Sequence, residues 1–415
     1  MPTARSQPRT IAARALCAVA LVCALNACSS SEPTTRSDVV TIGLLLPFTG
    51  ASSGTASNFE RAAIFAEDQV TDIGGGIHGH PLRILSADTH SDAVRAQRSV
   101  EDLVNAGASV IVGPESAEVA AQIGPYLAAQ HVTFLSPLIG AANNAEVDCS
   151  NPWFRLAPSA QDLGEALAKQ IIAANVKSIT LMYARTSYDE ALRDSVSARF
   201  TALKGTVRLA VALDPNGQSY ADEVNAARSA NADAIVLASS PRAGALVVNE
   251  FDALSTTPPI WFLSPLLKTE LLMENVAPDA LEGARGVAPK IYDTSRDFPD
   301  AFAARWEGDQ PLEGAYFYYD AVALLAFAMN SVAANPDGSY DPVVLNGALR
   351  DVAGPPGESV GWNELETGLA RQRAGASIYF SGLTGPLVFR SCGDRAFGAS
   401  SQWHVEAGSI ITDAD

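Results

Sequence analysis

From Val39 onward, short β-branched runs alternate with longer amphipathic segments, and this alternation constrains the fold more than any other feature of the sequence. The short runs are apolar throughout, as strands buried on both faces of a sheet must be. They predict nine strands, at 39–46, 82–86, 109–113, 132–136, 153–156, 178–184, 206–213, 233–239 and 260–264. The segments between them predict helices at 58–70, 92–106, 117–130, 161–174 and 189–203.

Strands that alternate with helices through short loops build right-handed βαβ units in open parallel sheets. Nine strands followed by a C-terminal remainder fit two such sheets better than one. The sequence therefore predicts an α/β fold of two doubly wound parallel-sheet lobes. No long linker separates the halves, so we expect the chain to cross between the lobes in short hinge segments.

Composition excludes several classes of protein. Of 415 residues, 47 % are apolar and 18 % are charged, a balance that gives globular domains and not a disordered chain. Acidic residues number 46 and basic residues 28, for a formal charge of −18. A chain this acidic, without a Lys/Arg cluster, repels phosphate backbones, so we expect no nucleic-acid partner.

The N-terminus has the pattern of a secretory signal. Three arginines (Arg5, Arg9 and Arg14) precede an apolar run at 15–25. Its 11 residues are too few to cross a hydrocarbon core of about 30 Å as a helix. Residues 1–27 are therefore predicted to be a signal peptide.

The next residues, LNAC at 25–28, resemble a bacterial lipobox. The resemblance implies that Cys28 is lipidated and becomes the mature N-terminus, with 28–37 as a flexible polar tether. A serine directly after the lipidated cysteine, as Ser29 is here, resembles the pattern of outer-membrane lipoproteins more than that of lipoproteins retained in the inner membrane. The alternative is a signal peptide cleaved elsewhere, with Cys28 unmodified. We expect an extracytoplasmic protein held to the cell envelope by its lipid anchor.

The number of cysteines is consistent with an extracytoplasmic location. Cys17 and Cys23 leave with the signal peptide, and Cys28 takes the lipid. Cys149 and Cys392 remain, in an oxidising compartment where a disulfide persists. We predict that these two cysteines pair with each other.

A series of Gly- and Pro-containing segments begins with IGLLLPFTG at 42–50. It continues at 74–82, 110–114, 135–137, 153–159, 314–322 and 382–387. In this order the segments resemble the branched-chain amino-acid type (Leu/Ile/Val-binding-protein-like) periplasmic substrate-binding proteins of ABC transporters. No single segment is specific, and the ordered set carries the resemblance.

The resemblance implies a type I periplasmic binding protein, in which three hinge crossings join two lobes. Lobe 1 would comprise 38–157 plus 289–378, and lobe 2 would comprise 158–288 plus 379–415. Residues 363–376 look like an insertion ahead of the last crossing. In doubly wound sheets, ligands bind outside the carboxyl ends of the strands, where helix N-termini favour anionic groups.

The function implied is that of a non-enzymatic, monomeric solute-binding lipoprotein that closes on its ligand. It would capture a small polar molecule, either an amino acid or a related organic acid or amide, and deliver it to ABC permease subunits in the membrane. No cofactor is expected. The alternative is an envelope interaction or sensor lipoprotein with the same fold and a degenerate cleft.

Two segments of lobe 1 match ligand contacts of the family. Glu115 and Ser116 lie where the third strand gives way to a helix, a position that meets the ligand α-carboxylate in the family. The alternative for this position is an ordinary N-cap. Ser136 and Pro137 lead into a loop where the family has Ala-Ala-Thr, whereas this chain has Leu-Ile followed by Gly140 and lacks the hydroxyl. All five residues belong to the predicted site.

In lobe 2, Tyr188 matches a family tyrosine beside the cleft. Arg242 stands where amino-acid binders have an acid that pairs with the ligand ammonium, so it would favour a carboxylate, sulfonate or carbonyl oxygen. The alternative is an arginine that faces solvent at a helix start. Tyr316 of lobe 1 replaces a ligand-packing phenylalanine with a ring that also donates a hydrogen bond. These changes argue against a simple aliphatic α-amino acid as the ligand.

The motif G-x-S-x-G at 50–54 raises the question of catalysis. A nucleophile elbow needs a tight turn directly at a strand end, whereas residues 47–50 intervene here. We therefore assign Ser52, Ser53 and Thr55 to a polar loop of the cleft and predict no catalytic residue. No metal site is predicted either, because the histidines lack cysteine or regularly spaced acidic partners.

Overall fold

The computed structural model describes residues 39–413 except 51–52, 140–152, 255–257, 294, 336–337 and 397. The predicted signal peptide at 1–27, the lipidation site Cys28 and the tether at 28–37 lie outside the described residues. So do Ser52, Gly140 and Cys149. What was predicted for them remains a prediction. In the described part of the chain, no helix has the length and apolarity needed to cross a bilayer.

The described strands form three sheets. In chain order they are β1 (Val40–Leu46), β2 (Leu82–Asp88), β3 (Val110–Val112), β4 (Thr133–Ser136), β5 (Trp153–Arg155), β6 (Ser178–Ala184), β7 (Thr206–Leu213), β8 (Ala234–Ala238), β9 (Ile260–Leu263), β10 (Arg285–Pro289), β11 (Glu358–Val360), β12 (Ile378–Gly382), β13 (Gly385–Pro386), β14 (Ser400–Glu406) and β15 (Ser409–Thr412). Each of the nine predicted strands is present, with its ends within two residues of the expected positions.

The first sheet has the order β2-β1-β3-β4-β5, and all of its pairs are parallel. The second sheet has the order β15-β14-β10-β9-β8-β6-β7. Its strands β6 to β10 pair in parallel, whereas β14 and β15 add an antiparallel hairpin to the edge of β10. A small third sheet joins β11, β12 and β13. The predicted α/β fold with two parallel-sheet lobes is confirmed, and the hairpin is a feature that the prediction did not contain.

Helices separate the strands. The described α-helices are α1 (Ala56–Asp68), α2 (Ala93–Asn105), α3 (Ala117–Ala129), α4 (Ala160–Ala173), α5 (Ser187–Ala202), α6 (Ala221–Ser229), α7 (Pro241–Leu254), α8 (Glu270–Glu274), α9 (Asp297–Arg305), α10 (Glu313–Ser331), α11 (Pro342–Val352) and α12 (Leu365–Arg373). Helix α10 is apolar on nearly every side and is buried on every side from Phe317 to Asn330, as expected of a helix inside a core.

Each large sheet has its own hydrophobic core. Two clusters of buried side chains cover the faces of the first sheet, and two others cover the faces of the second. None of the four contains buried strand residues from both sheets. We call the first sheet, its helices and the small third sheet the first lobe, and the second sheet with its helices the second lobe.

Helix α12 occupies most of the segment 363–376. Its Leu369 is buried in the core of the first lobe. Its last residue, Arg373, donates hydrogen bonds to the carbonyl oxygens of Gly74 at 2.8 Å and Gly76 at 3.2 Å. The segment therefore packs into the first lobe and holds the glycine turn that precedes β2.

A buried polar cluster, which we call the hinge cluster, lies where the chain passes between the lobes. Asp320 of α10 is 0 % exposed and accepts hydrogen bonds from the Leu383 N–H (2.9 Å), the Thr384 N–H (2.8 Å) and the Thr384 hydroxyl (2.7 Å). Arg395, also buried, donates to the carbonyl oxygens of Leu156 at 3.0 Å and of Thr384. Burial raises the pKa of Asp320 to about 6, although these hydrogen bonds oppose the shift. Asp320 thus joins α10 to the segment at Leu383 and Thr384, and Arg395 joins that segment to Leu156, which precedes the second lobe.

Candidate ligand-binding cleft

The turn from β3 to α3 is shaped by a close approach of two backbones. Gly113 has a φ of +102°, and a Cβ there would lie 2.2 Å from a carbonyl oxygen of β1, so glycine is required. Ser116 is the N-cap of α3, and its Oγ accepts from the Val119 N–H at 3.4 Å. The same hydroxyl donates to a carboxylate oxygen of Glu118 at 2.8 Å. Ser116 therefore acts as the N-cap that the sequence offered as an alternative, and Glu115 lies between the strand and the helix.

The Glu115 carboxylate is buried and unpaired. Both of its oxygens are inaccessible to solvent, and neither has a hydrogen-bond partner in another described residue. Burial raises the pKa of Glu115 to about 7; a hydrogen bond from its own backbone N–H opposes the shift, and the charge of Asp88 adds to it. The hydroxyl of Tyr318, a residue that is 0 % exposed, is likewise without a partner in the described part of the chain. Burial raises the pKa of Tyr318 well above its usual value, and the charge of nearby Glu115 adds to the shift.

Ser136 lies next to this turn at the end of β4. It is 0 % exposed, and its Oγ donates to the Pro114 carbonyl oxygen at 2.9 Å while it accepts from the Ile139 N–H at 3.3 Å. Pro137 is buried as well. In this structure the Ser136 hydroxyl therefore joins the β3 and β4 loops to each other, and its predicted contact with a ligand remains a prediction.

The second lobe contributes the start of α5. Thr186 is its N-cap: the Thr186 Oγ1 accepts from the Asp189 N–H at 3.1 Å and donates to the Asp189 Oδ2 at 2.9 Å. The other carboxylate oxygen, Oδ1, is buried and has no partner among the described residues. Burial raises the pKa of Asp189 to about 6; the Thr186 hydrogen bond opposes the shift, and the charge of Glu118 adds to it. Tyr188 packs partly buried against the second-lobe core, and burial raises the pKa of its phenol.

Charged groups of the two lobes meet on this side of the molecule. Glu118 of α3 acts electrostatically on Asp189 of α5. Lys268, which follows β9 in the second lobe, pairs with Glu313 at the start of α10 and donates to the Thr412 hydroxyl at 2.8 Å. We use "the cleft" for the region between the lobes that these residues and Glu115 border.

Arg242 lies in the first turn of α7, where it is exposed. Its guanidinium donates to the Gly217 carbonyl oxygen at 3.2 Å and to the Gln218 Oε1 at 2.7 Å. A loop of its own lobe therefore occupies two of its donors. The exposure agrees with the alternative of an arginine facing solvent, and the predicted contact with an anionic ligand is untested.

The remaining predicted residues have contacts within the first lobe. Tyr316 is partly buried and packs on Phe298, with 4.9 Å between ring centroids, and burial raises its pKa to about 12. Ser53 is exposed in a 3₁₀ turn, and Thr55 ends that turn at the start of α1 without capping it through its side chain. Their assignment to the cleft remains a prediction.

Two groups at the cleft were missed in the sequence. Asp189 directly follows Tyr188 at a predicted helix start. An acid three residues after a Thr or Ser is common at helix N-termini, so the sequence around Asp189 gives no sign of another role. Tyr318 lies in a helix that is apolar all round, so periodicity gives it no distinguishing position. Among the described residues, no three His, Cys, Asp or Glu side chains are placed to hold a metal ion.

Two lobes built on parallel sheets, with an ion pair between Lys268 of the second lobe and Glu313 of the first, are the architecture of bilobed solute-binding proteins. A family model described as periplasmic binding protein matches residues 39–353, and the chain belongs to this family. The family and the fold are those of substrate-binding proteins, and membership implies an extracytoplasmic location. The Leu/Ile/Val-binding-like resemblance read from the sequence is confirmed.

Individual relatives are distant. A chemotactic signal transduction system substrate-binding protein from Halobacterium salinarum is 25 % identical over 380 residues, covering 89 % of this chain and 88 % of that protein. A leucine-binding protein from Thermotoga maritima shares the fold with a TM-score of 0.74 and 18 % identity, over 90 % of this chain and 98 % of the other. A solute-binding protein from R. palustris, solved in complex with benzoate, gives a TM-score of 0.71 and 18 % identity, over 90 % and 95 %.

Proposed function

We propose that this protein is a lipid-anchored, monomeric solute-binding protein that captures a small polar ligand between its lobes for uptake through an ABC permease. The observation that carries the proposal is the presence of buried, unpaired polar atoms on both lobes where their charged groups meet: Glu115 on the first and Asp189 on the second. Buried polar atoms without partners are costly, and a ligand that bridges the lobes would satisfy them. Such a ligand stabilises the closed state by its differential affinity for it.

A thermal-shift screen tests ligand capture. The full-length protein, purified in detergent and checked for co-purified ligand, is screened against amino acids, small organic acids, amides, ureas and amines. A ligand present at about 100 times its Kd adds about 2.7 kcal/mol of stability, which raises the melting temperature visibly. If no compound shifts the transition, ligand capture is contradicted and the degenerate-cleft alternative gains.

The lobes are proposed to divide as predicted, with one change. Leu387 and Phe389 belong to the core of the first lobe, which supports a last crossing near residue 390 instead of 378. Limited proteolysis of the purified protein, with and without a ligand found in the screen, tests this division. Cleavage at the crossings that a ligand suppresses would support it, whereas cleavage confined to the lobe surfaces would contradict it.

Two covalent features complete the proposal. Lipidation at Cys28 predicts that Cys28→Ser moves the protein from the detergent phase to the aqueous phase in Triton X-114 partitioning, and an unchanged partition would contradict it. A Cys149–Cys392 disulfide is supported because Cys392 is disulfide-bonded and because the Gly393 carbonyl accepts from the Arg155 N–H at 2.9 Å, close in sequence to Cys149. Two free thiols in the denatured, unreduced mature protein would contradict the pair.

A second candidate function is that of a ligand sensor. It is favoured by the relative from Halobacterium salinarum, whose name places it in a chemotactic signal transduction system. Deletion of the gene distinguishes the two functions in cells. Loss of uptake of the labelled ligand supports transport, whereas retained uptake with a lost behavioural or transcriptional response to the ligand supports sensing.

A further inference from the structure

An ion pair between Lys268 and Glu313 joins the two lobes outside the segments that cross between them. The Lys268 side chain is 6 % exposed, whereas that of Glu313 is 44 % exposed. The Lys268 ammonium also donates to the Thr412 hydroxyl at 2.8 Å, so a group of its own lobe holds it as well. A buried ammonium is costly without a negative partner, and here that partner belongs to the other lobe.

The second lobe fixes the position of Lys268. Pro265–Leu267 forms a 3₁₀ turn after β9, and Lys268 directly follows that turn. Leu267 is 0 % exposed and belongs to a core of the second lobe, and α8 begins two residues after Lys268. Thr412, the second partner of the ammonium, is the last residue of β15. Both the backbone of Lys268 and one contact of its ammonium are therefore set within the second lobe.

The first lobe fixes the position of Glu313, which lies in the first turn of α10. The residue before it, Leu312, donates its N–H to the Asn58 Oδ1 of α1 at 2.9 Å. At the residue after it, a Cβ on Gly314 would lie 2.4 Å from the ring of Phe59, so α10 and α1 pack closely here. The N-terminus of the helix also favours a carboxylate at this position. Glu313 therefore stays with α1 if the lobes separate.

Because each lobe fixes its own half of the pair, the pair exists only while the lobes keep the arrangement described here. We propose that Lys268 and Glu313 form a latch that holds the two lobes in this arrangement. The latch rests on the proposed function, in which the lobes close on a ligand, and adds two positioning residues to it. The charge of Glu313 acts on Tyr316, a predicted ligand contact one turn further along α10, so the latch lies beside the cleft.

The energetic effect of the latch follows from the burial of Lys268. In this arrangement the ammonium has lost most of its contact with water, and the Glu313 carboxylate offsets the cost. Without that carboxylate the cost remains until the lobes move apart and water reaches the ammonium. Removal of the Glu313 charge should therefore depopulate the arrangement. A ligand that binds this arrangement would then bind more weakly, in proportion to the lost population.

Pulsed electron paramagnetic resonance on the ligand-free, full-length protein in detergent tests the latch. Spin labels are attached at Val94→Cys in the first lobe and Leu254→Cys in the second, where the native side chains are 68 % and 45 % exposed. We expect Glu313→Gln, an isosteric change, to lower the population at the label distance of this arrangement by about threefold or more. Asp68→Asn is the matched control, because it breaks an ion pair with Arg305 inside the first lobe. Circular dichroism melts confirm that each variant is folded.

A double-mutant cycle separates the ion pair from other effects of each charge. Lys268→Met removes the ammonium and keeps an unbranched apolar side chain, so in that background Glu313→Gln should change the population by less than about 1.5-fold. If Glu313→Gln acts equally in both backgrounds, or has no effect in the parent protein, the latch is overturned while ligand capture stands. A thermal-shift screen without a hit would contradict the proposed function, whereas an effect of Glu313→Gln that requires Lys268 would still support the latch.

Discussion

Two buried carboxylates of the first lobe, those of Asp320 and Glu115, differ in what surrounds them. Asp320 in the hinge cluster accepts three hydrogen bonds and is stabilised by the charge of Arg395. Glu115 at the cleft has no hydrogen-bond donor in another described residue and no basic neighbour among them; its own backbone N–H is the donor that lowers its pKa. Burial is the main cause of a raised pKa at both, to about 6 and about 7.

The comparison shows that burial alone does not distinguish a structural acid from a ligand-binding one. The folded chain itself stabilises the Asp320 carboxylate, so its charge supports the connection between the lobes. No other residue of the described chain compensates the Glu115 charge, so ionising it costs stability, and under the proposed function a bound ligand would offset that cost. The same contrast separates Glu115 from Arg242, whose donors a neighbouring loop already occupies.

The largest expected effect comes from the satisfied carboxylate. Asp320→Ala should destabilise the protein by about 3–5 kcal/mol, because it orphans buried N–H groups and removes the charge that offsets Arg395. Urea unfolding of the purified protein measures the loss. Thr384→Val is the graded control and should cost about 1 kcal/mol, since it removes one hydroxyl contact. If Asp320→Ala lowers the free energy of unfolding by as little as Thr384→Val does, the hinge cluster is not a major source of stability.

The unsatisfied carboxylate should behave in the opposite way. Glu115→Gln should stabilise the ligand-free protein at about pH 8 by about 2 kcal/mol, because it abolishes the cost of ionising a buried acid. At about pH 4 the wild-type side chain is protonated in both states, so the gain should vanish. Urea unfolding at the two pH values checks this. Equal stabilisation at both pH values would show that improved packing causes the gain and that removal of the charge does not.

The pH dependence of the wild-type protein follows from the same groups. The pKa values of Glu115 and Glu67 are raised to about 7, and those of Asp189 and Asp320 to about 6. The folded state therefore binds more protons than the unfolded state between about pH 4 and 7, so the free energy of unfolding should fall as pH rises through that window. Stability that rises across this window would contradict the assignment.

The smallest effect is expected at Arg242. Because this side chain is exposed and bonded to its own loop, Arg242→Ala should change stability by under about 0.5 kcal/mol. The affinity for a ligand found in the thermal-shift screen should change by less than about threefold. Urea unfolding and calorimetry with that ligand measure the two effects. A large loss of affinity in Arg242→Ala, with stability retained, would instead place Arg242 on the ligand and restore the role predicted from the sequence.

Much of the fold could be predicted because most of its parallel strands are short apolar runs with clear ends. Ser178–Ala184 agrees with the prediction at both ends, since it is buried along nearly its whole length and Lys177 and Arg185 flank it. Thr206–Leu213 is a half-exposed edge strand and also agrees at both ends, since Gly205 and Asp214 flank it. The hairpin β14–β15 was missed because its two strands are partly exposed and mix polar with apolar residues. Their place is set by pairing with β10, which lies more than a hundred residues earlier in the chain.

The residues of the candidate site could be named from the sequence, whereas their contacts could not. The β3–α3 turn was singled out by its sequence, and the structure does place polar groups there. The sequence could not show that the Glu115 carboxylate is unpaired, because that depends on the burial around Tyr318 in α10, some two hundred residues later. Nor could it show that a glutamine of the neighbouring loop holds Arg242. In both cases, the environment of the side chain depends on residues that are not its neighbours in the sequence.

The hairpin β14–β15 also sets the order in which this protein can mature. Trp403 of β14 fills the space over Gly286 of β10, where a Cβ would come within 2.5 Å of the indole ring. Until β14 is made, β10 presents an open edge, the kind of surface on which nascent chains aggregate. The first lobe is complete earlier, because its core needs α10 and the segment up to Phe389, and all of these precede β14. A chain interrupted just before β14 would therefore carry a finished first lobe and a second lobe whose sheet edge is open.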